Sequence, residues 1–336
     1  MVQASAVKPK LLIIAGPTGV GKTKLAIDCY KLLNCELISA DSMQIYKNCD
    51  IGTAKISKEE QTLFPHKNID IVNFYDEYSV AEFKKTTLNH INEITNKGKL
   101  PILVGGTGLY IESLLFPYEF QNCQKNTQLR EKYNSLYDSL GGQKLIDEII
   151  SKKPALAKDL HPNNRKRIIR ALEIINNTEA NVQNNCELHN FENSVFDYQI
   201  IFLSKERSNL YSIINKRVDE MLKNGLIQEA QMLYDYEKQN NCKLQVSSAI
   251  GYKELYPYFD KISALAECVE KIKQHSRNYA KRQITWYKRY TKNIEWRFNE
   301  MPEDYKNILI SILRKYQKYL KNSTTNTPIG QPANNE

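Results

Sequence analysis

The chain has seven cysteines in 336 residues, yet no C-x-x-C pair and no cysteine–histidine cluster. That excludes the usual zinc spacings and any disulfide framework of the secreted kind. Also missing is an apolar run long enough to cross a bilayer. The opening "MVQASAVKPK" lacks the apolar centre of a secretory signal. The expected setting is reducing and aqueous, most simply cytoplasm, with no membrane partner. Internal repeats are absent. Acidic residues are in deficit: 47 Lys and Arg stand against 38 Asp and Glu, a formal charge of +9, which favours polyanionic partners. The remaining composition, 41% hydrophobic and 25% charged, is ordinary for a globular chain long enough for one large or two moderate domains.

Short β-branched runs read as buried parallel strands: "LLIIAG" (11–16), "ELISAD" (36–41), "NIDIV" (68–72), "LPILVGG" (100–106) and "YQIIFLS" (198–204). Helical patterns lie between the early ones. Ser79 and Glu82 form a capping-box pattern before a helix with Phe83, Thr87, Ile91 and Ile94 on one face. This alternation predicts an α/β fold, a parallel sheet of the P-loop type with its working rim at the carboxyl ends of the strands. The strand signal stops between about 117 and 195 and then resumes. The expected organisation is a core over 8–117, a helical insertion over 118–195, core completion and C-terminal helices over 196–320, and a disordered tail over 321–336.

"GPTGVGKT", Gly16-Pro17-Thr18-Gly19-Val20-Gly21-Lys22-Thr23, matches G-x-x-x-x-G-K-[ST] after a strand and before a helix. Backbone amides and the helix terminus would grip phosphate oxygens, Lys22 would add a full charge, and the Thr23 hydroxyl could ligate Mg²⁺. The pattern says phosphate and not nucleotide. The run "PILVGG" ends in Gly105-Gly106-Thr107, without the acid that organises Mg²⁺ in typical NTPases. The acid closes "ELISAD" instead, at Asp41. On the assumption that the two strands are neighbours, Asp41 should lie beside the loop as base or metal ligand; the plainer alternative is a turn cap.

At this point the chain resembles the tRNA dimethylallyltransferases (tRNA isopentenyltransferases), bacterial type. The resemblance rests on "GPTGVGKTKLAI", "ELISADSMQIYKNCDIGTAK", "PHKNIDI", "PILVGGTGLYIESLL", "HPNNRKRIIRALEI", "INKRVDEML", "AIGYKEL" and "AKRQITWYKR", in order from about 11 to 298. It implies transfer of a dimethylallyl group from dimethylallyl diphosphate to N6 of adenosine 37, just 3′ of the tRNA anticodon, with Mg²⁺ as cofactor. Under it, Asp41 is the base on the acceptor amine, and Lys22, Thr23 and Arg217 stabilise the departing diphosphate. Thr107 falls at the reacting centre. Ser42, Met43 and Gln44 edge the pocket for the base, with Gln44 able to bond an adenine edge. The tRNA-facing positions are Asp41 to Gln44, Thr107, Arg130, Lys166, Arg167, Ile168, Ile169, Arg170, Gly251 and Tyr252.

The residues alone leave alternatives. Arg217 could be a surface charge on its helix, and the basic cluster from Arg165 to Arg170 a solvated face. Residues 267–292 hold eight Lys or Arg and two Glu among Tyr279, Trp286, Tyr287 and Tyr290, a composition suited to phosphate contacts and stacking. Transfer to free adenine nucleotides, a P-loop small-molecule kinase and a non-enzymatic RNA binder are the competing readings. The acting unit is expected to be a monomer.

Overall fold

A run such as "KLLIIA", apolar at every position after the first, suits a strand covered on both faces. It forms β1 (Lys10–Ala15), buried from Leu11 onward in the computed structural model, which describes residues 8–116, 127–158, 160–176 and 194–321. The described residues fall into two compact units, divided after Leu115 and before Ser194.

In the first unit, β1 is followed by α1 (Lys22–Leu32), β2 (Cys35–Ser39), α2 (Lys58–Leu63), β3 (His66–Lys67), α3 (Val80–Asn96), β4 (Leu100–Gly105) and α4 (Gly108–Leu115). The second unit contributes α5 (Thr127–Leu140), α6 (Gly142–Lys152) and α7 (Arg165–Asn176). The first unit then resumes with β5 (Asp197–Ser204), α8 (Arg207–Lys223), α9 (Leu226–Asn240), α10 (Tyr256–Phe259), α11 (Leu265–Lys288), β6 (Glu295–Phe298) and α12 (Pro302–Lys315). All six strands are parallel, in the order β3-β2-β4-β1-β5-β6. After the excursion the chain returns in register, with β5 pairing β1 from Lys10–Asp197 to Ala15–Phe202.

Local chemistry accounts for the elements and for two departures from expectation. Helix α3 begins where Ser79 and Glu82 close a reciprocal capping box, and it buries Phe83, Thr87, Ile91 and Ile94. "NIDIV" is not a strand: β3 is only His66–Lys67, because Asn68 and Asp70 adopt φ of 67° and 55°. Short polar side chains tolerate that left-handed backbone and reward it with local bonds. Asn68 donates to Thr87 Oγ1 at 2.9 Å, and Asp70 accepts from Lys55 at 2.6 Å. Strand β6, "EWRF", was not expected, since four residues with two charges carry no apolar run; pairing with β5 holds it. The disordered-tail expectation and the Asn-rich stretch 177–193 lie outside the described residues.

The strand order corrects the assumption about Asp41. Strand β4 lies between β1 and β2, so Asp41 and the phosphate loop are not on adjacent strands. They face each other because β4 ends in two glycines. A Cβ on Gly105 would lie 2.3 Å from the Ala40 carbonyl oxygen, and one on Gly106 would lie 2.0 Å from Gln283 Nε2 and 2.9 Å from the Gly16 carbonyl oxygen. The intervening strand end is thus bare backbone, and its neighbours close over it. The first unit's core packs Leu12, Ile14, Leu37 and Ile102 against Leu25 of α1 and Ile308 and Ile312 of α12. In the second unit, Tyr133, Leu145, Ile149, Ile168 and Leu172 make a separate core.

Gly105→Ala should therefore cost about 1–3 kcal/mol, the usual penalty for overpacking against rigid backbone. Gly98→Ala, at a glycine with nothing within 4 Å of the added atom, should cost only the roughly 1 kcal/mol of its left-handed backbone, φ 68°, and less than Gly105→Ala. Thermal melts of the two variants check this; equal losses would contradict the close approach at Gly105.

Candidate active site

The loop between β1 and α1 turns through left-handed glycines at Gly19 and Gly21, with φ of 82° and 99°. Its lysine folds back over it: Lys22 Nζ donates to the carbonyls of Gly16 at 3.0 Å and Pro17 at 2.9 Å. The Lys22 pKa is lowered to about 8, by burial first and by the Arg217 charge, against the opposing pull of Asp41. Arg217 reaches in from α8, donating to Thr18 Oγ1 at 2.9 Å. Burial depresses its pKa as well, with Asp41 and Glu220 working the other way. It is no surface charge. From α11, Gln283 accepts from the Thr18 amide at 3.0 Å and donates to the Gly106 carbonyl at 3.1 Å, tying the loop to the end of β4. Asn299 donates to the Val20 carbonyl at 3.2 Å.

Asp41 stands across a cleft of about 760 Å³ that Lys22, Thr23, Arg217, Ser42, Met43 and Gln44 also line. That volume suits a diphosphate ester together with one planar base. Asp41 is a turn cap and also lines the cleft. Its Oδ1 caps the following turn, accepting from the amides of Met43 at 2.9 Å and Gln44 at 3.4 Å. Its Oδ2 accepts no hydrogen bond among the described residues. Gln44 is not free to read a base edge: its amide donates to the carbonyls of Thr53 and Ala54 at 3.3 and 3.2 Å and accepts from Ser39 Oγ at 3.3 Å. Thr107, just before α4, has a buried hydroxyl with no well-aligned partner among the described residues. It borders Tyr279, whose pKa is pushed up to about 12 by burial and then by the Asp41 charge. Tyr279 lines the cleft and Thr107 does not.

The family model described as IPP transferase matches residues 44–290. A tRNA dimethylallyltransferase of Bacillus cereus is 45% identical over 281 residues, 84% of this chain and 87% of its own. That of Bacillus subtilis is 44% identical over 281 residues, 84% and 88% of the two chains. Among solved structures, the tRNA delta(2)-isopentenylpyrophosphate transferase of Staphylococcus epidermidis is 42% identical, with a TM-score of 0.66 over 93% of this chain and all of that one. A eukaryotic dimethylallyltransferase described as acting on tRNA is 29% identical, with a TM-score of 0.75 over 94% of this chain and 81% of its own. The chain belongs to the IPP transferase family.

Four positions that the family resemblance implied for tRNA, Ile168, Ile169, Gly251 and Tyr252, are buried and need correction. Ile168 is fully buried and Ile169 is 7% exposed, so both hold α7 to its own unit and offer no surface. Gly251 is buried, and Tyr252 is 0% exposed with its hydroxyl on Glu229. Arg130 and Arg170 share the buried Glu173 carboxylate, the latter at 3.2 Å. Arg165 is held by Asn134 and by Asp138, at 2.7 Å to each. Lys166 and Arg167 are exposed, with no ion pair among the described residues. The aromatics of α11 also divide: Tyr287 is buried, while Arg289 stacks over Trp286 at 4.0 Å. Sequence reasoning missed Gln283, although the motif "AKRQITWYKR" contains it, and named Tyr279 only as one of the aromatics of 267–292, not as part of the cleft wall.

The depressed lysine yields a pH signature. Between about 8 and its ordinary 10.5, Lys22 carries a proton in the unfolded chain and largely loses it in the fold. Stability therefore rises with pH across that window for this group. A bound pyrophosphate should restore the charge, so binding at pH 8 should take up about half a proton at Lys22. Calorimetry in buffers of different ionisation enthalpy reads this uptake as the difference between the wild type and Lys22→Met; no difference would contradict it.

Proposed function

We propose that this chain transfers a dimethylallyl group from dimethylallyl diphosphate to N6 of adenosine 37 of tRNA, releasing pyrophosphate. One observation carries the reading: a single cleft with two cations and a phosphate loop on one wall and a carboxylate oxygen without a donor on the other. The matched relatives are named tRNA dimethylallyltransferases. An adenine amine is a poor nucleophile because its lone pair is delocalised into the ring. A carboxylate on its N–H takes the proton as the carbon–nitrogen bond forms, and Asp41 Oδ2 is the group available for it. As the allylic carbon–oxygen bond breaks, negative charge grows on the diphosphate. Lys22, Arg217 and the loop amides meet that charge from a half-buried, low-dielectric wall.

No group of three His, Cys, Asp or Glu side chains fit to hold a metal occurs among the described residues. Mg²⁺ nevertheless fits here, since it keeps most of its waters and shares its shell with substrate phosphates. The Thr23 hydroxyl, in the first turn of α1 and on the cleft wall, would hold it. When bound, it neutralises leaving-group charge. The exposed Lys166 and Arg167 support a polyanionic acceptor over a free nucleotide. Among the described residues no helix is long and apolar enough to cross a membrane, and a tRNA substrate favours a cytoplasmic location.

Incubation with labelled dimethylallyl diphosphate should label tRNA and leave AMP unlabelled. Label in AMP alone would transfer the reading to the nucleotide-prenylating enzymes. Asp41→Asn keeps an oxygen for the turn amides while removing the base, so turnover should fall about 10²–10⁴-fold with pyrophosphate affinity retained. Unchanged turnover would remove Asp41 from the chemistry. Lys166 and Arg167, changed together to Ala, should weaken tRNA binding and lower the slope of log affinity against log salt by up to about two; unaltered binding would make this surface a bystander.

A further inference from the structure

Helix α9 carries a carboxylate that the chemistry above leaves unused. From its first turn, Glu229 accepts hydrogen bonds from three consecutive backbone amides, those of Asp50 at 2.7 Å, Ile51 at 2.9 Å and Gly52 at 2.8 Å. The Tyr252 hydroxyl donates a fourth at 2.7 Å. Consecutive amides converging on one point form a nest of the kind that grips anions. Here the protein fills the nest with its own side chain. Tyr252 also closes over the loop, since a Cβ on Gly52 would lie 2.4 Å from its ring.

The loop needs such an anchor. Between Asp50 and Ile56 only Thr53 and the Lys55 side chain are buried, and Lys55 is ion-paired with Asp50 and Asp70 at 2.7 and 2.6 Å beyond the cleft-lining residues, so apolar packing holds little of the loop. Yet Gly52, Thr53 and Ala54 line the cleft, and Glu229 does not. The carbonyls of Thr53 and Ala54 fix the Gln44 side chain. The Gln44 and Met43 amides in turn fix Asp41 Oδ1. From α9 to Asp41 the hydrogen bonds are joined only by short stretches of chain, the 50–54 loop and Gln44 itself.

We propose that Glu229 is a positioning residue: through the 50–54 loop and Gln44 it sets the direction in which Asp41 presents its free oxygen to the acceptor. This rests on the prenyl transfer proposed above. A residue serving only stability would weaken both substrates together. A positioning residue instead lowers turnover and spares the diphosphate wall, because Lys22 and Arg217 are held from β1, α1 and α8.

The test uses the full-length protein with Glu229→Ala, Glu229→Gln and the milder Tyr252→Phe. With tRNA and dimethylallyl diphosphate varied separately, Glu229→Ala should lose about 10–100-fold in kcat, the range that small misplacements cost. KM for the diphosphate and affinity for pyrophosphate should stay within about twofold. Glu229→Gln keeps one acceptor oxygen and should fall between, and Tyr252→Phe should show a smaller loss in the same direction. Amide hydrogen exchange, which needs no turnover, should accelerate over 44–55 and stay unchanged over 16–30. Unchanged kcat, diphosphate affinity falling in step with kcat, or unchanged exchange over 44–55 would each overturn the proposal. A wild-type protein that labels no tRNA refutes the prenyl transfer itself, and the exchange data then still decide whether Glu229 anchors the loop.

Discussion

Two positive side chains, Lys22 and Arg217, are folded against the same short loop, and each is half withdrawn from water. Their mutual repulsion and their burial work in the same direction, against carrying charge. Only Asp41 across the cleft opposes that tendency for both. A wall built this way is costly to the empty fold and gains most when an anion arrives. Under the proposed transfer, that gain falls on the fragment that must become more negative during reaction, which favours the transition state over the resting ester.

The sheet makes this confrontation possible by leaving something out. With β4 wedged between β1 and β2, ordinary side chains at its carboxyl end would hold Asp41 away from the phosphate loop. Gly105 and Gly106 remove them, and Gln283 from α11 crosses the bare backbone to pin Thr18. Helices late in the chain thereby lock a loop near its beginning, and α8 adds Arg217 by the same route. The opposite wall has a different character, a polar loop held by hydrogen bonds. One wall is rigid and charged; the other is poised through a relay.

What could be read in advance follows from how local each signal is. The phosphate loop is contiguous, flanked by its strand and helix, and its glycines and Lys22 lie where the pattern puts them. The cap of α3 is equally local. Asp41 was identifiable, but the strand between it and the loop was not, because strand order is a property of the whole sheet. "NIDIV" looked extended until Asn68 and Asp70 found side-chain partners in a left-handed backbone. Charge along α7 was visible too. Its partners were not: Arg165 and Arg170 of α7, like Arg130 of α5, turn to Asp138 and Glu173, and periodicity shows a face without saying what meets it. Gln283 lies 265 residues from the amide it holds, beyond any spacing rule.

The account turns on which atoms face each other across the cleft, and a crystal structure with a non-hydrolysable thio analogue of dimethylallyl diphosphate measures that directly. The predicted result has diphosphate oxygens within about 3 Å of Lys22 Nζ and the Arg217 guanidinium. Lys22 would be drawn off the Gly16 and Pro17 carbonyls, and the allylic carbon would point toward Asp41 Oδ2. A diphosphate bound elsewhere, or an allyl group turned away from Asp41 with the lysine still on its carbonyls, would contradict it.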